Sequence, residues 1–238
     1  MANEDDIPVL RRRVDDSDDV LVRYHRTIPD VTGDERVYAR VADALSVMTA
    51  SGARAEDDYR RLIRAVRRDD EFVAIVAKTA EATEEDAYEE RWALTQLLVD
   101  LQNPVAADYL AGLVRRPVPE EKAEDPAHGL STVTEEVILR TTAMEGLARL
   151  LRRGVDTAEV LLDSIAATDY VAMRRAAWFA LVDGGADGAV ERARALLADR
   201  GEEWIADIKR IPVEEAPQAE VESKGRRPRE DAPSPFDE

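Results

Sequence analysis

A short register of residues recurs three times along the middle of this chain and constrains its fold more than any other feature. The register begins at Arg91, Arg140 and Arg174, and the residues three, six and seven positions after each arginine are small or leucine. The last two copies begin 34 residues apart and the first two 49 residues apart. Helix pairs that recur at a nearly fixed period are typical of repeat proteins, because one helix hairpin cannot bury its apolar face without a neighbour.

Each copy is followed by a break and a second apolar segment, so the repeating unit is predicted to be a helix hairpin. The 49-residue interval equals the 34-residue interval plus roughly the length of a polar loop at 116–133. A fainter copy of the register begins at Arg36. Gly154 and Gly184-Gly185 predict breaks between helices. The spacing predicts helices at about 55–68, 134–152, 157–167, 170–183 and 187–199.

Three sequence signals predict where helices begin. Thr32-x-x-Glu35 and Thr83-x-x-Asp86 have the spacing of a capping box, in which side chains bond the free N–H groups of the first turn. Asn103-Pro104 predicts a further start, since Asn caps the first turn and Pro fits its first position. That helix is expected to end before Pro117.

The composition favours helices over strands. Apolar residues make up 45% of the 238 residues, but aromatic residues only 5%. Small apolar side chains let helix axes approach closely, whereas sheets usually use more aromatic and β-branched residues. We therefore expect an all-α fold. Segment 1–30 should be a mostly irregular extension and the acidic, Pro-rich segment 212–238 a disordered tail, which leaves a helical-repeat domain at 31–211.

Two segments, 140–162 and 174–197, resemble HEAT-like repeats, including the phycobilisome-lyase HEAT-like variety. Ala143, Gly146 and Leu147 match the small residues and the leucine that such repeats place where paired helices cross. The resemblance covers 88–199 and implies a short right-handed α-solenoid of stacked hairpins. It also implies that second helices, near 104–115, 157–167 and 187–199, carry the partner-binding residues: Asp108, Arg115, Glu159, Asp163, Glu191 and Arg194, with Trp204 as a surface anchor.

The chain offers little for catalysis or for holding a cofactor. It has no cysteine, and its histidines, His25 and His128, are far apart, so we expect no zinc site and no thiol nucleophile. No glycine-rich phosphate loop or nucleophile-elbow motif occurs. Asp100 and Asp183 are expected to bond backbone donors near a helix break. We predict a protein that is no enzyme and uses no cofactor or metal.

The charge balance leaves the partner open. The formal net charge is −18, and 29 of the 33 basic residues are arginines. Such acidity with scarce lysine resembles the proteins of salt-loving microbes, in which it keeps the surface solvated and says little about a partner. Alternatively, the acidity matches a basic partner.

The leading prediction is a cytoplasmic, non-enzymatic scaffold or adaptor for a protein partner. The N-terminus lacks the apolar core of a signal peptide, and no apolar run is long enough to span a membrane. One alternative is a subunit of a nucleoprotein complex that contacts nucleic acid through Arg67-Arg68, Arg115-Arg116 and Arg152-Arg153. Another is an enzyme or lyase subunit similar to phycobilin lyases or HEAT-like DNA glycosylases. Trp92 and Trp178 fall in apolar stripes and are predicted to be core.

Overall fold

A computed structural model of the chain describes residues 27–50, 54–126 and 131–208. The predicted tail at 212–238, nearly all of the predicted extension at 1–30 and both histidines lie outside these ranges. The described residues through Ala206 belong to one compact unit. Only Asp207 and Ile208 of a second unit are described.

Ten α-helices have both ends within the described residues. They are α1 Glu35–Met48, α2 Ala55–Val66, α3 Asp70–Ala82, α4 Tyr88–Leu101, α5 Ala107–Arg115, α6 Thr132–Leu151, α7 Ala158–Ala167, α8 Val171–Gly184, α9 Asp187–Asp199 and α10 Trp204–Asp207. A single 3₁₀ turn, Pro104–Ala106, precedes α5. No strand occurs in the ranges that the structure describes, which confirms the predicted all-helical class. Within those ranges, no helix is long and apolar enough to cross a bilayer.

The two predicted capping boxes are wrong. α1 is capped by Asp34, whose carboxylate accepts from the N–H of Arg36, because Thr32 instead belongs to a turn closed by Asp30. Thr83 ends α3 rather than starting α4: its hydroxyl donates to the carbonyl of Thr79. The Asn103-Pro104 start is confirmed, with the Asn103 side chain accepting from the N–H of Val105 at 2.9 Å.

The breaks fall where glycines were predicted to place them. Gly154 follows α6 with φ +86° and Gly185 ends α8 with φ +73°, in the left-handed region that favours glycine.

The predicted polar loop holds the start of α6 in place. The Glu121 carboxylate accepts from the Ser131 hydroxyl at 2.5 Å and from the N–H of Thr132 at 2.9 Å. Hydrogen bonds from Ser131 and from backbone N–H groups lower the pKa of Glu121 to about 2.

The hairpins of the repeat region interlock in two layers. The first helices α4, α6 and α8 pack side by side, and so do the second helices α5, α7 and α9. Each second helix also packs against the first helix of the following hairpin, α5 against α6 and α7 against α8. Helices α1, α2 and α3 contact α4. Each hairpin therefore covers apolar surface that its neighbour could not bury alone.

The recurring register supplies the seam between first helices. The leucines and alanines three, six and seven positions after each arginine are at most 4% exposed: Leu94, Leu97, Leu98, Ala143, Leu147, Ala177, Ala180 and Leu181. Trp178 is also buried, as predicted, but Trp92 is only partly buried. The fainter copy departs from the register, since Arg36 is exposed.

Gly146 lies where three helices meet. A Cβ added there would stand 2.8 Å from Val99 Cγ2 in α4 and 2.9 Å from Leu110 Cδ1 in α5. Both distances are too short for a carbon contact, so glycine at this position lets α6 approach both neighbours. Gly112 in α5 is different, because an added Cβ there meets no atom within 4 Å.

We expect Gly146→Ala to lower the free energy of unfolding and Gly112→Ala to raise it. The first change overpacks a buried crossing, which costs about 1–3 kcal/mol. The second only removes the flexibility of a helical glycine, which is worth about 0.5–1 kcal/mol. Urea unfolding followed by circular dichroism measures both variants. Equal effects of the two changes would show that the Gly146 crossing is not tightly packed.

Candidate functional site

The three register arginines are buried and join successive hairpins. Arg91, Arg140 and Arg174 are 8%, 2% and 3% exposed. Each donates to a backbone carbonyl of the loop that precedes its helix, at Glu85, Pro117 and Thr168 respectively, over 2.7–2.8 Å. A buried guanidinium is tolerated only when its N–H groups find acceptors. Their positions are therefore structural.

Each of these arginines also pairs with a carboxylate. Glu136, at the start of α6, is 3% exposed and accepts from both Arg91 and Arg140. Glu202, just before α10, accepts from Arg174, with Nε to Oε2 at 2.5 Å. Arg91 and Arg174 thus reach forward in the chain, to acidic residues in the first turns of α6 and just before α10.

Burial and ion pairing change the pKa of Glu136 in opposite directions. Burial raises the pKa of Glu136, but hydrogen bonds from Arg91 and Arg140 outweigh burial and hold the pKa below its ordinary value of 4.5. The hydrogen bond from Arg174 likewise lowers the pKa of Glu202. Both groups are therefore carboxylates in the folded state and act as permanent counter-ions rather than as proton donors.

All seven residues predicted to bind a partner are exposed, six of them on the outer face of the second helices. We call this surface, formed by exposed side chains of α5, α7 and α9, the second-helix face. Trp204 lies outside it, in α10, and is 50% exposed. The six residues on the face are Asp108 and Arg115 of α5, Glu159 and Asp163 of α7, and Glu191 and Arg194 of α9.

The structure brings some of these residues together across helices. Arg115 lies 3.8 Å from Asp163, which joins α5 to α7. Glu159 accepts two hydrogen bonds, at 2.6 and 3.0 Å, from Arg192, which joins α7 to α9. The pKa of Glu159 is lowered by this pair. Within the described ranges no such bond links Asp108 or Glu191 to the other candidates.

The candidate Arg194 has a structural contact as well. Its guanidinium lies 5.4 Å from the ring centroid of Trp178, close enough for a cation–π interaction. Arg194 therefore contacts the buried Trp178 ring and is also exposed to solvent. No described residue pairs with Trp204 through a ring contact.

A groove of about 450 Å³ opens between the ends of α5 and α7 and the start of α8. It is lined by residues 114–118, by residues of α7 between Val160 and Ala167, and by residues between Thr168 and Met173. Two predicted residues, Arg115 and Asp163, line it. Sequence reasoning missed the groove itself, because its walls come from three helices. Ser164 also lines it, and its hydroxyl is the only buried side-chain polar atom of the described residues without a hydrogen-bond partner.

The arginine pairs stand at helix ends as predicted, and most of them bond to the chain itself. Arg152 donates to the carbonyl of Asp183 at the end of α8, and Arg153 to that of Gln102 at the end of α4, both at 3.0 Å. Arg116 pairs with Glu81 at 3.2 Å. Helix C-termini carry partial negative charge, so these contacts stabilise three helix ends.

Asp100 has a different role from the one predicted. Its carboxylate accepts from three side chains, Tyr59 at 2.8 Å, Arg149 at 2.7 Å and Gln96 at 3.1 Å, rather than from backbone N–H groups. Burial and the nearby Asp100 charge raise the pKa of Tyr59 above its usual range. The cluster joins α2, α4 and α6 through a hydrogen-bonded carboxylate.

Comparisons add no relative to this picture. The chain matches no protein-family model, no curated protein and no solved structure. The HEAT-like resemblance therefore stays a prediction. Among the residues described, no group of three or more His, Asp or Glu side chains could hold a metal ion.

Glu136→Gln should destabilise the fold strongly. It leaves two buried arginines without a counter-ion, and breaking a buried pair costs about 3–5 kcal/mol. Glu145→Gln is the control, because Glu145 pairs with Arg149 on the surface of the same helix, where such pairs contribute about 0.3–0.5 kcal/mol. Urea unfolding near neutral pH compares them. Similar losses for both variants would rule out a special role for Glu136.

The Glu136 contribution should also depend on pH in one direction. Because its folded pKa is lowered, the stability it provides is present above the ordinary value of 4.5 and is lost as pH falls through the folded pKa. The difference in unfolding free energy between wild type and Glu136→Gln should be constant near neutrality and shrink in acid. Other carboxylates titrate in both proteins and cancel. A difference that grows in acid would contradict this assignment.

Proposed function

We propose that this protein is a non-enzymatic scaffold that binds a protein partner along its second-helix face. The hairpins that interlock through α4 to α9 are consistent with a short right-handed α-solenoid of the HEAT-like kind, which we propose as the arrangement. In such an arrangement one layer supplies the packing and the other supplies an extended surface. The cytoplasmic location stays a prediction.

The observation that carries the proposal is the groove at one end of that face. It is open, is flanked by Arg115 and Asp163, and contains apolar wall residues Val114, Val160 and Met173. Mixed apolar and polar lining is typical of surfaces that recognise protein segments. The face beside it carries charges of both signs at Asp108, Glu191 and the cross-helix pairs.

A protein partner is favoured over nucleic acid because several of the paired arginines are already bonded within the chain. Arg116, Arg152 and Arg153 bond to a carboxylate or to carbonyl groups of this chain, whereas phosphate binding draws on arginines that are available for contact. Buried Glu136 of α6 pairs with Arg91 of α4, and buried Arg140 of α6 donates to the carbonyls of Arg116 and Pro117 after α5. They are engaged in structure rather than in chemistry at a cleft.

Charge reversal on the second-helix face should weaken partner retention. We expect Glu159→Lys with Glu191→Lys to reduce the partner retained by the full chain in native salt by about tenfold, the loss of a few charge contacts. The matched control is Glu56→Lys with Glu71→Lys on the exposed sides of α2 and α3. Quantitative mass spectrometry of the purified protein measures the ratio. A monodisperse monomer with no retained partner, or equal loss in both variants, would count against the scaffold.

A further inference from the structure

The ends of the three second helices differ in one residue that has a structural consequence. The helices end at the C-cap residues Arg116, Thr168 and Arg200, which hold the same position along their helices, although the backbone is extended at Arg116 and Thr168 and right-handed helical at Arg200. At two of them the carbonyl accepts from the buried register arginine of the next first helix: Arg116 from Arg140 at 3.1 Å and Thr168 from Arg174 at 2.7 Å. The two ends thus share the same backbone geometry.

The Arg200 side chain fills the gap between the ends of α7 and α9. Its guanidinium donates to the carbonyl of Ala166 at 3.1 Å and to that of Thr168 at 3.3 Å, and it lies 3.7 Å from the Asp169 carboxylate. The carbonyls at a helix end have no intrahelical partner. Arg200 supplies donors to two of them, and its side chain is 32% exposed.

The groove occupies the corresponding gap between the ends of α5 and α7. The residue equivalent to Arg200 is Thr168, whose short side chain bonds locally, to the N–H of Tyr170 and to the sulfur of Met173. The carbonyls equivalent to those of Ala166 and Thr168 are at Val114 and Arg116. Within the described chain no backbone N–H donates to the Val114 carbonyl, because the helix ends at Arg115, and the Arg116 carbonyl has a second lone pair.

We propose that this groove binds the guanidinium of an arginine side chain from the partner protein, in the way that Arg200 is held in the next gap. The inference rests on the proposed scaffold function and names the chemistry that its groove recognises. The partner guanidinium donates to the carbonyls of Val114 and Arg116. Asp163 and Asp169, which both line the groove and also face Arg115 and Arg200 at 3.8 and 3.7 Å, supply the negative charge.

Two groove arginines shape this recognition. Arg116 is paired with the carboxylate of Glu81. Arg115 lies 3.8 Å from Asp163 and so competes with an incoming cation for that carboxylate. Arg115→Ala should therefore strengthen binding, whereas Asp163→Asn should weaken it. The planar guanidinium of arginine can donate to two carbonyls at once better than the ammonium group of lysine can. Arginine should therefore be preferred over lysine.

The test uses the full chain and a capped tripeptide, acetyl-Gly-Arg-Gly-amide, with the lysine and citrulline versions as controls. Binding is followed by the backbone amide shifts of Ser164, Thr168 and Tyr170 in NMR titrations. We expect the arginine peptide to bind about tenfold more tightly than the neutral citrulline peptide, the value of one charged hydrogen bond. Equal shifts with all three peptides, or none at these residues, would overturn the proposal.

Thr168→Arg provides the decisive variant. Its own guanidinium should reach Val114 and Arg116 as Arg200 reaches Ala166 and Thr168, and it should abolish the peptide-induced shifts. Thr168→Ala removes the same local bonds without filling the groove, so it should bind within about twofold of wild type. Unchanged binding in Thr168→Arg would refute arginine docking. If Thr168→Arg leaves the retained partner in place while reversal of Glu159 and Glu191 removes it, the scaffold function stands and only the groove assignment falls.

Discussion

A guanidinium can be buried only where its N–H groups and its charge are both satisfied, and the stacking of hairpins in this protein depends on three arginines that meet this condition. Arg91, Arg140 and Arg174 each bond a carbonyl of the preceding loop and a carboxylate. Because Glu136 serves two of them, one residue connects α4 with α6. This ion-pair cluster lies beside the apolar seam between α4 and α6.

The two helix layers have different roles because their neighbours differ. First helices lie between other helices, so α4 buries residues on nearly all sides. Second helices have one side facing solvent, where charged residues are tolerated at little cost. The pairs between Arg115 and Asp163 and between Glu159 and Arg192 order this surface without neutralising a chain of net charge −18. The second-helix face therefore carries fixed local charges of both signs on a strongly acidic chain.

Repetition with one altered residue accounts for the groove. Arg200 and Thr168 occupy equivalent helix ends, but only the arginine is long enough to bond the carbonyls of the preceding second helix. The difference leaves space and hydrogen-bond acceptors at the end of α5. A difference at this one position thus accompanies an open groove in one gap and a packing contact in the next, while the buried register arginines are kept in both.

Most helices and several of their ends could be predicted from the sequence, because apolar spacing, Gly154, Gly185 and Asn103-Pro104 are local signals. It also predicted which second-helix residues are exposed, since one helical face must be polar. Two predictions from the sequence were wrong because a nearby residue formed the bond instead. Asp34 rather than Thr32 caps α1, and Asp100 accepts hydrogen bonds from side chains rather than from backbone N–H groups. Only the tertiary structure decided that the register arginines are buried, that Glu136 joins two of them and that a groove opens beside Ser164. Those features require side chains far apart in the chain to meet, and no local pattern encodes the distance between them.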